Sequence, residues 1–287
     1  MIIFSNFRDA ETDPYLVSLK EIYKDKPITF WFDKVPTNQN QLNLNPYNFI
    51  ILSEPDEFFG LHSWVKYNHN LFTGVLTWND MLLNECDNAI LFHHNSNNLD
   101  KDYIESFKDK TKQFEVSYLS GAKNLVEGHK LRQEVYKIGD QITIPKKWFY
   151  VLDDFDQQDF DNGGIGRPKE GHWLGKQICF KESMFHIAIE NVNYNNWYTE
   201  KIGDAFSTKT VPIYWGCPNL GDLGYDERGI IRFSTIPELI TIVNNLTEEK
   251  YYEMKPYVDY NYELTQMYNF QDVLVSFFDE FCKLNNI

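Results

Sequence analysis

FHIAIENVNYNNWYTEKIGDAFSTKTVPIYWG, residues 185–216, alternates apolar runs with a polar loop and a helical pattern. The apolar run Phe185–Ile189 reads as a buried strand. An Asn-rich loop follows, and then Ile202, Ala205 and Phe206 fall on one face of a helix. A second apolar run, Val211–Trp215, ends at Gly216. Strand, loop, helix and strand in about 30 residues make a βαβ unit, and such units hold ligands at the carboxyl ends of their strands. Glu190, Asn191, Trp197, Tyr198, Thr199, Glu200 and Lys201 stand at that end. Carboxylates, an ammonium and aromatics beside a helix start suit a ligand with sugar hydroxyls and phosphates. The dipole and amides of a helix start favour an anion, and Lys201 adds a point charge. On spacing alone, the same loop reads equally well as a solvated turn, since Asn is a turn former.

Outward from this unit, the chain alternates short apolar runs with helical patterns. Upstream, Met1–Phe4, Ile28–Phe32, Phe49–Leu52, Val75–Trp78 and Ala89–Phe92 read as strands, with Tyr15–Ile22 and a segment ending near Glu85 as helices. A polar segment, NSNNLDKD at 95–102, interrupts the pattern; Phe114–Leu119 then opens a second sheet, and Gly128–Ile138 has helical spacing. Downstream, Ile230–Phe233 is a strand, while Pro237–Leu246, Glu248–Tyr260 and Phe270–Leu284 are helices. Alternation of this kind predicts an α/β protein with parallel sheets covered on both faces.

With 27 basic and 42 acidic residues the net charge is −15, which disfavours nucleic acid and anionic lipid as partners. A phosphate site in such a chain needs a local positive pocket. The four cysteines, Cys86, Cys179, Cys217 and Cys282, form no CxxC pair, so a zinc site or redox motif is not expected. No apolar run is long enough to span a bilayer. The expectation is a soluble, cytoplasmic protein.

DDFDQQDFDNGGIGRP, residues 153–168, reads as a loop by its Asp, Gly and Pro content. Its glycines match no phosphate-loop pattern, and Asp153, Asp154 and Asp156 lack the spacing of a calcium loop. No metal site is expected. His93, His94 and His186 have no ligand spacing with carboxylates.

The stretch 185–216 resembles the signature of the α1,3-fucosyltransferases (glycosyltransferase family ten). The matching residues are Phe185, Ile189-Glu190-Asn191, Tyr198-Thr199-Glu200-Lys201-Ile202 and Val211-Pro212-Ile213-Tyr214-Trp215-Gly216. Two positions depart: Val192 stands where Ser is usual, and Trp197 where Tyr is usual. The resemblance implies a GT-B architecture, two Rossmann-like domains facing across a cleft. The expected division is residues 1–110 on the acceptor side and 111–287 for the nucleotide sugar, the last helix crossing back. It also implies inverting transfer of fucose from GDP-fucose to a hydroxyl of a glycan acceptor, with no cofactor or metal. A different nucleotide-sugar donor, or an inactive nucleotide-sugar- or glycan-binding protein, stays open, as does the oligomeric state.

Sugar transfer needs positive groups aimed at the departing diphosphate and a carboxylate to take the acceptor proton. The resemblance puts Lys201 and Arg132 at the diphosphate, with Arg167 as competitor; Glu200 at the donor ribose; and Glu190 and Asn191 near the sugar or phosphates. It puts the base at Glu54, where Ser53-Glu54-Pro55 ends an apolar run, with Glu57 as the nearest rival.

Overall fold

The computed structural model describes residues 1–6, 10–92, 104–105, 111–152, 164–166, 180, 182–267 and 270–287. The chain divides into two compact units: Met1–His94 with Asn195–Trp197 and Asn269–Ile287, and Asn95–Tyr194 with Tyr198–Tyr268.

Unit one runs β1 (Ile2–Ser5), α1 (Pro14–Ile22), β2 (Ile28–Phe32), α2 (Gln39–Leu42), β3 (Tyr47–Leu52), α3 (Asp56–Phe59), α4 (Leu61–Asn68), β4 (Gly74–Thr77), α5 (Asp80–Glu85) and β5 (Ala89–Leu91). The strands pair in parallel in the order β1-β2-β3-β4-β5. Every residue of β2 is buried, as expected of a parallel strand covered on both faces. Asp13 starts α1 by accepting the amides of Tyr15 and Leu16, and Asn79 starts α5 by accepting that of Leu82. Gly60 joins α3 to α4 at φ +64°, the left-handed region that favours glycine.

Unit two runs β6 (Gln113–Gly121), α6 (Glu127–Lys137), β7 (Lys146–Leu152), β8 (Gly164–Gly166), β9 (Ser183–Ile189), α7 (Glu200–Ser207), β10 (Val211–Trp215), β11 (Ile231–Arg232), α8 (Ile236–Asn244) and α9 (Glu248–Met267). The parallel order is β11-β10-β9-β6-β7-β8. The chain winds outward from β6 to β8, returns to lay β9 against β6, and winds outward the other way. Between β6 and β9 the winding reverses, and open α/β sheets bind ligands at the carboxyl ends of strands at such a switch point. Unit one's consecutive order has no reversal of this kind among the described strands.

The last helix, α10 (Phe270–Asn285), counts with unit one. Phe277, Phe278 and Phe281 surround Phe49 with ring centroids 4.7–5.5 Å apart. Tyr23 donates its hydroxyl to Val275 O and Asp279 Oδ1 at 2.8 and 2.7 Å.

Two expectations change. Gly164–Gly166, expected as loop, pairs with β7 as an edge strand. Helix α9 runs seven residues past Tyr260, to Met267. Its buried face continues through Asn261 and Thr265, polar residues that hide the pattern. Asn261 is satisfied there: its side chain takes the amide of Asp226 at 2.7 Å and donates back to its carbonyl at 3.0 Å. No described helix is long and apolar enough to cross a membrane.

Candidate functional site

The site in unit two is built on Glu190, the first residue past β9. Its amide donates to Trp215 O of β10 at 2.9 Å, and its side chain is fully buried. The carboxylate accepts the Thr199 amide at 2.9 Å, the Thr199 hydroxyl at 2.6 Å and the Tyr214 hydroxyl at 3.4 Å. Burial and the neighbouring Glu190 charge hold the Tyr214 phenol protonated, well above its ordinary pKa. Thr199 in turn caps α7: its hydroxyl oxygen accepts the Lys201 amide at 3.4 Å and the Lys201 ammonium at 3.0 Å. Lys201 Nζ lies 3.6 Å from Glu190 Oε2 and 3.2 Å from Glu200 Oε1. The T-E-K run is thus a helix start folded back on a buried carboxylate.

Two glycines make room for Glu190, one at its side chain and one at its backbone carbonyl. A Cβ on Gly216 would sit 2.4 Å from Glu190 Cγ, and one on Gly128 would sit 1.7 Å from Glu190 O. Gly128, in the first turn of α6, donates its amide to Asn191 O at 2.9 Å. This close approach brings α6, the helix after β6, onto the loop after β9. There Arg132 Nη2 donates to Asn191 Oδ1 at 2.6 Å. The Arg132 carbonyl accepts the Tyr118 hydroxyl at 2.6 Å, fixing the helix to β6.

The cations Arg132, Lys123 and Lys201 lie around the site together with the carboxylates of Glu190 and Glu200. Burial draws the Arg132 guanidinium below its ordinary pKa, with Tyr118, Glu190 and Glu200 opposing. One turn earlier, His129 is held down at about 4, by burial first and then by the charges of Arg132, Lys123 and Lys201. His129 is therefore neutral near pH 7, and its Nδ1 accepts the Leu125 amide at 3.2 Å.

Arg132, Glu190, Asn191, Thr199, Glu200 and Lys201 therefore come together at the switch point. Trp197 does not join them. It counts with unit one, is buried, and donates its indole N–H to Ser53 O at 2.9 Å beside the Trp78 ring. Tyr198 is buried in the core of unit two with its ring edge-on to Tyr225. His186 is a strand residue whose Nδ1 meets the Ser117 hydroxyl at 2.8 Å. Arg167, His93, His94, Asp153, Asp154 and Asp156 lie outside the described residues. Among the described residues no group of three His, Cys, Asp or Glu side chains could hold a metal ion.

In unit one, Glu54 follows the carboxyl end of β3 and is partly exposed. Asp33, just past β2, accepts the amides of Ser53 and Glu54 at 2.8 and 3.2 Å and the Ser53 hydroxyl. Glu57 is exposed in the first turn of α3. Sequence reading assigns no role to Gly128, His129 or Asp33, and takes in Tyr214 only as part of the matched signature. A signal existed for two of them: Asp33 directly follows an apolar strand run, and His129 precedes Arg132 by one helical turn.

The architecture is that of the GT-B glycosyltransferases. Solved structures of α1,3-fucosyltransferase share it at 15% identity: one with TM-score 0.55 covers 96% of this chain and 88% of that one. A structure of α1,3-fucosyltransferase with GDP gives 0.53, and one with GDP-fucose 0.50. A glycosyltransferase from Rickettsia africae aligns at TM-score 0.56 and 9% identity, over 97% of this chain and 84% of that one. In sequence, the chain is similar to the alpha-(1,3)-fucosyltransferase FucT of Helicobacter pylori, 29% identical over 105 residues. That match takes in 35% of this chain and 21% of the relative. No family model matches.

Proposed function

We propose that the chain is an inverting glycosyltransferase that moves fucose from GDP-fucose to a hydroxyl of a glycan acceptor. The observation that carries this is the meeting of Arg132, Asn191 and Lys201 at the switch point of unit two. Two fixed cations at the carboxyl ends of parallel strands are what a diphosphate needs, first to bind and then to leave with added charge. The structures similar in fold with GDP and GDP-fucose bound support the choice of nucleotide. Glu200, partly exposed at the first position of α7, is the proposed acceptor of hydrogen bonds from ribose hydroxyls. Glu54 is the proposed base. The assay is sugar transfer and donor hydrolysis across a panel of nucleotide sugars, with GDP-fucose expected to be turned over fastest. A different preferred donor would keep the class and change the sugar; donor binding without turnover would leave a binding protein.

Lys201 is expected to act on the diphosphate directly. The Lys201→Ala protein should bind GDP more weakly by about 1.5–3 kcal/mol, the value of a charge-assisted contact. Calorimetric titration with GDP checks this, and unchanged affinity would remove Lys201 from the phosphate site.

Because the proposed reaction draws its positive charge from Arg132 and Lys201, transfer should proceed in chelator at a rate within a few-fold of the untreated rate. Loss of activity in EDTA, restored by magnesium or manganese, would overturn that part of the proposal.

A further inference from the structure

Past the end of β3 the sheet ladder stops, yet every backbone polar group of Ser53 and Glu54 has a side-chain partner. The two amides go to Asp33 Oδ1 at 2.8 and 3.2 Å. The Ser53 carbonyl accepts the Trp197 indole N–H at 2.9 Å. The Glu54 carbonyl meets His62 Nε2 at 3.2 Å. These partners all belong to unit one. Asp33 holds φ +46°, a left-handed conformation that Asp tolerates better than most residues.

His62 is the partner whose chemistry is least explained by packing. It is 3% exposed on α4, edge-on to Trp78 at 5.4 Å between ring centroids. Its own amide donates to Asp56 Oδ1 at 2.8 Å, so the segment from Glu54 to His62 is closed by two hydrogen bonds. A carbonyl oxygen only accepts, so Nε2 must carry the proton. Its Nδ1 is buried and has no hydrogen-bond partner among the described residues. A Leu or Phe would fill such a space without leaving a buried nitrogen unsatisfied, and natural cores rarely tolerate one without a reason.

We propose that His62 is a positioning residue for Glu54: its Nε2–H pins the Glu54 carbonyl while Asp33 pins the amide, so both peptide planes flanking the Glu54 Cα are fixed. This inference rests on the proposed role of Glu54 as base. With the backbone held on both sides, the carboxylate varies only through its own side-chain torsions, which is the preorganisation a general base needs. Burial lowers the His62 pKa from its ordinary value, in keeping with a neutral ring that donates from Nε2.

The test uses kcat and KM for GDP-fucose in five proteins: wild type, His62→Leu, His62→Gln, Glu54→Gln and the Glu54→Gln/His62→Leu double variant. Loss of the pin should lower kcat by about tenfold or more in His62→Leu and leave the donor KM within about threefold. Gln offers an N–H near the Nε2 position and should recover kcat to within about threefold of wild type. The double variant should be no slower than Glu54→Gln alone, because His62 acts through Glu54. Wild-type kcat in His62→Leu, no recovery with Gln, or a further loss on top of Glu54→Gln would each overturn the proposal. A wild-type rate in Glu54→Gln would instead remove the base assignment beneath it. Nitrogen-15 resonances of the wild-type His62 ring give a check that needs neither turnover nor a variant: the proton should sit on Nε2, and a proton on Nδ1 would overturn the pin.

Discussion

Glu54→Gln should lower turnover by about 10²–10⁴ while leaving GDP affinity and the melting temperature at wild-type values. The substitution keeps shape and removes the proton-accepting charge. The backbone of Glu54 is held through its amide by Asp33 and through its carbonyl by His62, and both contacts are open to Gln as to Glu. GDP affinity should not move because the cations proposed to hold the diphosphate, Arg132 and Lys201, belong to unit two. The measurement is a pair: steady-state transfer from GDP-fucose, and calorimetric titration with GDP on the same preparation. A folded Glu54→Gln protein with a near wild-type rate would sink the assignment. The exposed Glu57 is then the next acid to test in unit one, though its place in the first turn of α3 is already explained by the helix dipole.

The strand that ends just before Glu54 is legible in sequence because Phe49–Leu52 is an uninterrupted apolar run, and a parallel strand buried on both faces is spelled in such runs; the base role proposed for Glu54 comes from the resemblance. Strands β2, β9 and β10 are legible in the same way. What could not be read is strand order. Sequence gives β6 and β9 as strands more than sixty residues apart; only the paired sheet shows that they are neighbours and that the winding reverses between them. That adjacency brings Arg132 within 2.6 Å of Asn191. Trp197 was placed with the signature because it is contiguous with Tyr198-Thr199-Glu200-Lys201, yet contiguity does not fix direction. Asn196, at φ +61°, turns the backbone just before Trp197, and the side chain of Asn196 donates to Trp78 O and Asp80 Oδ1. The helix start at Thr199 and the indole two residues earlier therefore serve different units. Gly128 was invisible for a similar reason: its requirement comes from the carbonyl of Glu190, a residue far away in sequence.

Glu190, expected from the resemblance to lie near the donor sugar or phosphates, is in this structure held wholly by protein groups, and its largest expected effect is on stability. Its side chain has no exposed surface, and its oxygens are taken up by Thr199 and Tyr214 with Lys201 alongside. Glu190→Ala removes the acceptor for a buried amide and two buried hydroxyls and the anion beside Lys201. Breaking a buried charged cluster from one side costs about 3–5 kcal/mol, which in a chain of this size lowers the melting temperature by roughly 5–10 °C. The cap of α7 goes with it, since the Thr199 hydroxyl then loses its orientation toward the Lys201 amide. GDP affinity should fall as well, but only through the displaced Lys201. The Glu190→Ala and Lys201→Ala losses in GDP affinity should therefore not add, and the double variant should bind GDP about as weakly as Lys201→Ala alone. Glu190→Gln should lie between: its carbonyl can still accept the Thr199 amide, while the charge beside Lys201 is gone. Thermal melts and GDP titrations on the four proteins decide the matter. A Glu190→Ala protein that melts like wild type yet loses GDP binding additively with Lys201→Ala would make Glu190 a direct ligand, and its burial in this structure would then have to be relieved when the nucleotide binds.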